Sequence, residues 1–320
     1  MPKEITHFAL AGELGRSLSG NALFYGPVKK FPNLFLLGAV APDIPFYYLA
    51  GQSREGVQEL STPFHRSHAK VLLPVLKFIQ KDDSPPALAL AAGVICHILS
   101  DTHFHPLVYY YSGMDGVHRG ATGRHRTFET AMDLHFWFLF RGETCLNRVV
   151  KSLGVSKGEL GRMLAGLFRP GLPLPENAPM KALNQHRRIQ SLFRAQRVRK
   201  GLAWLSRKGR PLPEKISGLA YPFGRPVSLP FFRGGIFYHD PCTLESVSTD
   251  LETMVNLTID SGRRVLDIIS QALAADRVET ALTHPGLPRI RPALPPDSFE
   301  AWHGKQDIRP LVYQGISSPF

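Results

Sequence analysis

Cysteine is scarce in this chain: Cys96, Cys145 and Cys242 are the only three in 320 residues, and none belongs to a C-x-x-C pair. Thiolate zinc ribbons and disulfide frameworks both depend on paired cysteines, so both are excluded, and any metal must be held by nitrogen and oxygen. Alternating strand patterns are also scarce, which points to an all-α fold. The longest apolar stretches, Ala87 to Ile98 and Asn33 to Ala50, are too short or too interrupted by Pro42, Asp43 and Pro45 to cross a bilayer as a helix. The opening Met1-Pro2-Lys3-Glu4-Ile5-Thr6-His7 lacks a basic segment followed by an apolar run and a small-residue cleavage site. These absences predict a soluble, cytoplasmic protein that is not exported by the general route.

Acidic residues are missing altogether from Lys181 to Arg210, where Arg187, Arg188, Arg194, Arg197, Arg199, Lys200, Arg207, Lys208 and Arg210 gather much of a formal net charge of +12. Ile189, Leu192, Phe193, Leu202 and Leu205 accompany them, the pattern of a basic amphipathic helix. A solvated helix face packed on the domain by its apolar stripe is the favoured reading; peripheral contact with an anionic membrane, and less so with nucleic acid, is the functional alternative.

The chain does have helical periodicity and histidine. With 43% apolar content it can bury a large core. Spacing predicts helices from His7 to Ser17, His68 to Lys81, Ala87 to His103 (closed by Pro106), His125 onward, Lys157 to Phe168, Ala182 to Arg207 and Thr243 to Ala275. Gly38 to Pro45 cannot form a regular helix, because its prolines remove donors and restrict their predecessors, so Asp43 is placed on a buried loop. The expectation is a multi-helix bundle over residues 1 to 278, with an irregular, extended C-terminal tail over residues 279 to 320. Residues 1 to 140 carry the polar motifs, and residues 141 to 278 complete the bundle.

Nine of the 13 histidines precede residue 136. Two ladders stand out, His97-x-x-x-Asp101-x-x-x-His105 and His125-x-x-x-Glu129-x-x-x-Asp133. At 3.6 residues per turn, positions i, i+4 and i+8 share a helix face, so each ladder aims imidazoles and carboxylates at one space. Buried carboxylates and unpaired imidazoles cost several kcal/mol unless a cation or hydrogen bonds compensate, and zinc suits such a mixed donor set. His103 is a rival to His105 but points about 200° round the helix from Asp101. Asp133 is read as a hydrogen-bonding partner for a ligating histidine. His118 in the loop between the ladders, with Arg124 and Arg126 at the start of the second, could contact a substrate phosphate; hydrated loop residues are the alternative.

His7, Ala41-Pro42-Asp43, His65/His68, the run Gly93 to His105 and the run His125 to Asp133 together resemble the zinc-dependent phospholipase C family. That family shares its helical fold with single-strand-specific zinc nucleases and has a relative in the metal domain of glycosylphosphatidylinositol-specific phospholipase D. The resemblance implies one zinc held by Asp43, His65 or His68, His97 and Asp101, and a second held by His105, His125 and Glu129. A third family site would join Asp101 and His7 to an N-terminal tryptophan that this sequence lacks. The implied activity is phosphodiester hydrolysis by metal-activated water, with Asp43 as ligand and general base. A nuclease or nucleotidase, and a non-catalytic metal-stabilised scaffold that binds an anionic membrane or nucleic acid, are the alternatives. No obligate protein partner is implied.

Overall fold

The computed structural model describes residues 4–49, 54–65, 69–113, 121–140, 144–168, 177–207, 221, 230–241, 243 and 245–275. The proposed tail from residue 279, His68, His118 and Cys242 lie outside them. The described chain is predominantly helical. It runs α1 (Glu4–Ser17), α2 (Tyr25–Lys30), α3 (Pro32–Gly38), a 3-10 helix (Ala41–Tyr47), α4 (Arg54–Glu59), α5 (Thr62–His65), a second 3-10 helix (Ala69–Leu72) and α6 (Leu73–Lys81). Then follow α7 (Pro85–Ser112), α8 (Ala121–Phe140), α9 (Leu146–Lys151), α10 (Lys157–Phe168), α11 (Ala178–Arg194), α12 (Gln196–Arg207) and α13 (Pro230–Arg233). An antiparallel hairpin, β1 (Ile236–His239) with β2 (Ser246–Thr249), precedes the last helix, α14 (Leu251–Ala274).

Helix α7 is the axis of this arrangement. Proline in its first turn needs no hydrogen-bond partner for a missing N–H, and the sequence that follows is apolar on every side, so α1, α2, α3, α6, α8 and α14 all pack on it. By length and composition α7 could cross a membrane, yet 89% of its most apolar window is buried inside the fold. The helix does not stop at Pro106. It continues to Ser112, because burying Leu107 and Val108 outweighs one lost backbone bond, and Gly113, at φ 79°, ends it.

Where α3 crosses α7 the contact is glycine on glycine. A Cβ on Gly93 of α7 would stand 2.0 Å from the Phe35 carbonyl oxygen and 2.7 Å from the Gly38 Cα, and one on Gly38 would stand 2.1 Å from the Leu90 carbonyl oxygen. Only bare backbone fits on both sides. This approach carries the chain after α3 directly onto α7, one turn before His97.

Elsewhere tertiary packing redraws the sequence-based boundaries. Ala182 to Arg207 is two helices rather than one, broken at Ala195, whose ψ of 127° is extended. The segment before α6 is 3-10, with Pro74 in the first turn of the α-helix proper. The 3-10 helix bearing Asp43 replaces the expected loop, since its prolines tolerate the tighter turn. The last helix starts at Leu251 rather than Thr243, capped by the Asp250 carboxylate, which accepts the Thr253 N–H at 2.7 Å. The hairpin occupies the difference, with Ile236 and Tyr238 buried and Phe237 exposed.

Candidate metal centre

Five segments deliver the polar side chains. Helix α1 brings His7, the first 3-10 helix Asp43, α5 His65, α7 His97, Asp101 and His105, and α8 His125 and Glu129. Asp101 is the hub. Its Oδ2 lies 3.3 Å from His97 Nε2 and 3.7 Å from His65 Nε2, while its Oδ1 lies 3.6 Å from both His7 Nε2 and His105 Nε2. Asp43 Oδ1 stands 3.1 Å from His65 Nε2 and 3.8 Å from His97 Nε2. On the far side of His105, His125 Nε2 meets Glu129 Oε1 at 2.7 Å. Among the described residues three donor sets follow, each with ligand atoms within 4.8 Å of one another: His7, Asp43 and His97; His65, His97 and Asp101; and His105, His125 and Glu129.

The imidazoles are aimed by backbone carbonyls. His97 Nδ1 lies 2.9 Å from the Ala39 carbonyl oxygen, and His65 Nδ1 lies 2.8 Å from that of Ser61. A carbonyl only accepts, so Nδ1 carries a hydrogen on each ring, and Nε2 is the nitrogen that faces inward. Those two Nε2 atoms face each other at 3.4 Å. The Ser61 hydroxyl also donates to the Pro42 carbonyl at 2.6 Å, tying the Asp43 turn to the strap that bears His65.

A cation fits this donor set on the chain's own terms. Both ring nitrogens of His7, both carboxylate oxygens of Asp101 and His105 Nε2 are buried without a hydrogen-bond partner. So many orphaned polar atoms around one point would be costly, and a divalent ion satisfies them together. Electrostatics agree. Burial works against charge on His97, but the Asp101 and Asp43 carboxylates override it and raise its pKa to about 9. Burial also opposes ionisation of Asp101, and the His105 and His97 rings outweigh it, holding the carboxyl well below its usual range. Burial dominates at His7, which is lowered strongly with help from His97, and at His105, lowered to about 3. Glu129 is lowered: burial opposes this, and the His125 ring prevails.

The sequence profile described as zinc dependent phospholipase C matches residues 1–160. The chain belongs to the zinc-dependent phospholipase C family. No curated protein and no solved structure matches it. The family segment covers α1 to α9 and the first turn of α10, and all three donor sets lie within it.

The remaining candidates lie outside the donor sets found among the described residues. His103 Nε2 faces Ser261 Oγ of α14 at 3.1 Å and belongs to none of the donor sets found among the described residues. The reason is its register, since the i+2 position leaves the face shared by His97, Asp101 and His105. Asp133 was expected beside a ligating imidazole. Instead it accepts the Thr6 N–H at 2.8 Å, the Thr6 hydroxyl at 2.6 Å and the Tyr221 hydroxyl at 2.7 Å, bracing the turn that carries His7. Arg124 donates from Nε to the Ser112 carbonyl at 2.9 Å, tying α8 to the end of α7. The Arg126 backbone carbonyl accepts from Thr130, and its guanidinium charge reaches Tyr47, at the end of the Asp43 turn.

Ring contacts add further groups to the site. Tyr109 lies beside both His105 and His125, with ring centroids 5.1 and 5.6 Å away. His7 stacks on His97 at 4.3 Å. His186, an isolated histidine in sequence, is buried on α11 and stacks on Tyr47 at 3.8 Å, so the C-terminal half supports the Asp43 turn. One further turn of the His97, Asp101, His105 ladder leads to Tyr109, the only one of these that spacing could have flagged.

Proposed function

We propose that this chain is a zinc-dependent phosphodiester hydrolase of phospholipase C type. The observation that supports this most is the sharing of Asp101 among four histidines from α1, α5 and α7, beside a second donor set on α7 and α8. A structural zinc is closed by four ligands of its own, whereas these overlapping sets suit neighbouring ions with positions left open. His65, His97, Asp43 and Asp101 are assigned to one zinc, and His105, His125 and Glu129 to a second. His7 with Asp101 is the weaker third place. Bound there, zinc supplies a Lewis acid that polarises phosphoryl oxygens and makes water more acidic.

The chain's own groups do the rest. Asp43 has one oxygen against His65 and His97 and is the candidate acceptor for the proton of the attacking water. Ser61 and Ala39 hold the two imidazoles so that they cannot turn away. Tyr109 closes one wall beside His105 and His125.

The test is metal analysis joined to an activity panel. Purified protein is expected to carry at least two zinc per chain and to release a phosphorylated headgroup from phosphatidylcholine. Asp43→Asn is expected to abolish turnover while the melting profile persists. Cleavage of single-stranded DNA in place of lipid would transfer the reading to a nuclease, and turnover undiminished in Asp43→Asn would reject the role given to that residue.

A further inference from the structure

Outside the metal centre, basic charge and apolar exposure meet at the junction of α11 and α12. On α12, Arg197 and Lys200 precede Trp204 by seven and four residues, so all three share one face of the helix, and all are exposed, Trp204 to 58%. Val198, half-buried, points away from that face. A tryptophan in the middle of a basic arc packs no core. On α11, exposed Arg188 and Leu192 follow the same i, i+4 rule, with Leu192 52% exposed. Arg187 and Arg188 border an open cleft together with Asn147, Asn184 and Ser191. Arg194 lies over the Trp137 ring at 5.9 Å, which brings the end of α8 to this junction, and there Phe138 and Leu139 are 48% and 49% exposed.

We propose that this face docks on an anionic phospholipid membrane. The sequence from 177 to 213 contains no acid, so nothing in the segment offsets its attraction to negative headgroups. Indole and the arginine and lysine stems are amphipathic and settle at the headgroup boundary, while leucine and phenylalanine reach the acyl region. Nucleic acid would engage the arginines and could stack on Trp204, but it would leave Leu192, Phe138 and Leu139 in water. A lipid surface accounts for both kinds of exposed group. The proposal concerns binding alone and stands apart from the assignment of catalysis, so failure of one leaves the other in place.

The experiment is co-sedimentation of the full chain, without turnover, with vesicles of phosphatidylcholine alone or mixed with phosphatidylglycerol. Binding is expected only to the mixed vesicles and to weaken as salt rises. The pair Arg197→Glu/Lys200→Glu should weaken it by at least about 25-fold, at roughly fivefold per basic residue near an anionic surface. Lys29→Glu/Lys30→Glu changes net charge equally on the exposed end of α2 and should retain binding, which separates this face from the overall positive charge. Trp204→Phe should remove the blue shift of tryptophan emission seen with vesicles. Equal loss in both charge-reversal pairs would overturn the proposal. So would unchanged binding in Arg197→Glu/Lys200→Glu with an unaltered melting profile, or tight binding to a single-stranded oligonucleotide with none to vesicles.

Discussion

Replacing Gly93 by alanine tests whether the metal centre is built by the helix crossing rather than merely placed near it. The added Cβ meets the Phe35 carbonyl oxygen at 2.0 Å and the Ala39 nitrogen at 2.8 Å. These are backbone atoms, so no rotamer change relieves the clash, and α3 must back away from α7 by about 1 Å. That opening stretches the 2.9 Å contact between His97 Nδ1 and the Ala39 carbonyl beyond hydrogen-bonding range. Overpacking costs about 1–3 kcal/mol, and a buried polar pair left unmet adds a similar amount. At about 2–4 °C per kcal/mol for a chain of this size, the melting temperature should fall on the order of 10 °C. Loss of the group that orients a ligating imidazole should weaken zinc binding about 10- to 100-fold. Calorimetry with and without chelator, together with zinc competition against a chromophoric chelator, measures both. Gly12→Ala is the control: its Cβ would have nothing nearer than the flexible Arg16 side chain at 4.0 Å, and it should stabilise α1 slightly. A Gly93→Ala protein that melts within about 2 °C of wild type and holds zinc equally well would refute the argument.

Asp101→Asn keeps the size of the hub and removes its charge; zinc content should fall in all the donor sets sharing it, as read by elemental analysis. The Glu4–Arg194 ion pair, at 2.6 Å with Glu4 almost fully buried, ties α1 to α11. Arg194→Met removes that countercharge from the buried carboxylate and should cost about 3 kcal/mol in denaturant unfolding, most of it recovered in the double variant Glu4→Gln/Arg194→Met. The pH dependence of the metal-free protein follows from His97, raised from 6.5 to about 9. A raised histidine pKa stabilises fully below pH 6.5 and ceases to do so as pH climbs through about 9, so chelated protein should lose on the order of 3 kcal/mol across that window. Zinc-loaded protein should trend the other way, because the ion displaces that proton; opposite slopes in urea titrations, and proton release on zinc addition, are the measurements.

The local features of this protein were legible in its residues. Four-residue spacing places His97, Asp101 and His105 on one face of α7, and His125 and Glu129 on one face of α8, because helix pitch is a property of the backbone. The same register separated His105 from His103 before any packing was known. The apolar character of α7 likewise required it to be central.

What only the tertiary structure decided is how distant segments meet. That the Asp43 turn descends on His97 depends on the Gly38–Gly93 contact, and two glycines 55 positions apart have no spacing to betray them. Asp133 has the same i+4 relation to Glu129 that Glu129 has to His125, yet it serves the backbone of α1, because the first turn of that helix packs there. The break at Ala195 and the hairpin at Ile236 also follow from packing, which can override propensities of a few tenths of a kcal/mol per residue. Helical period is local and is written in the sequence; convergence in space is a balance of burial and close approach that only the folded chain settles.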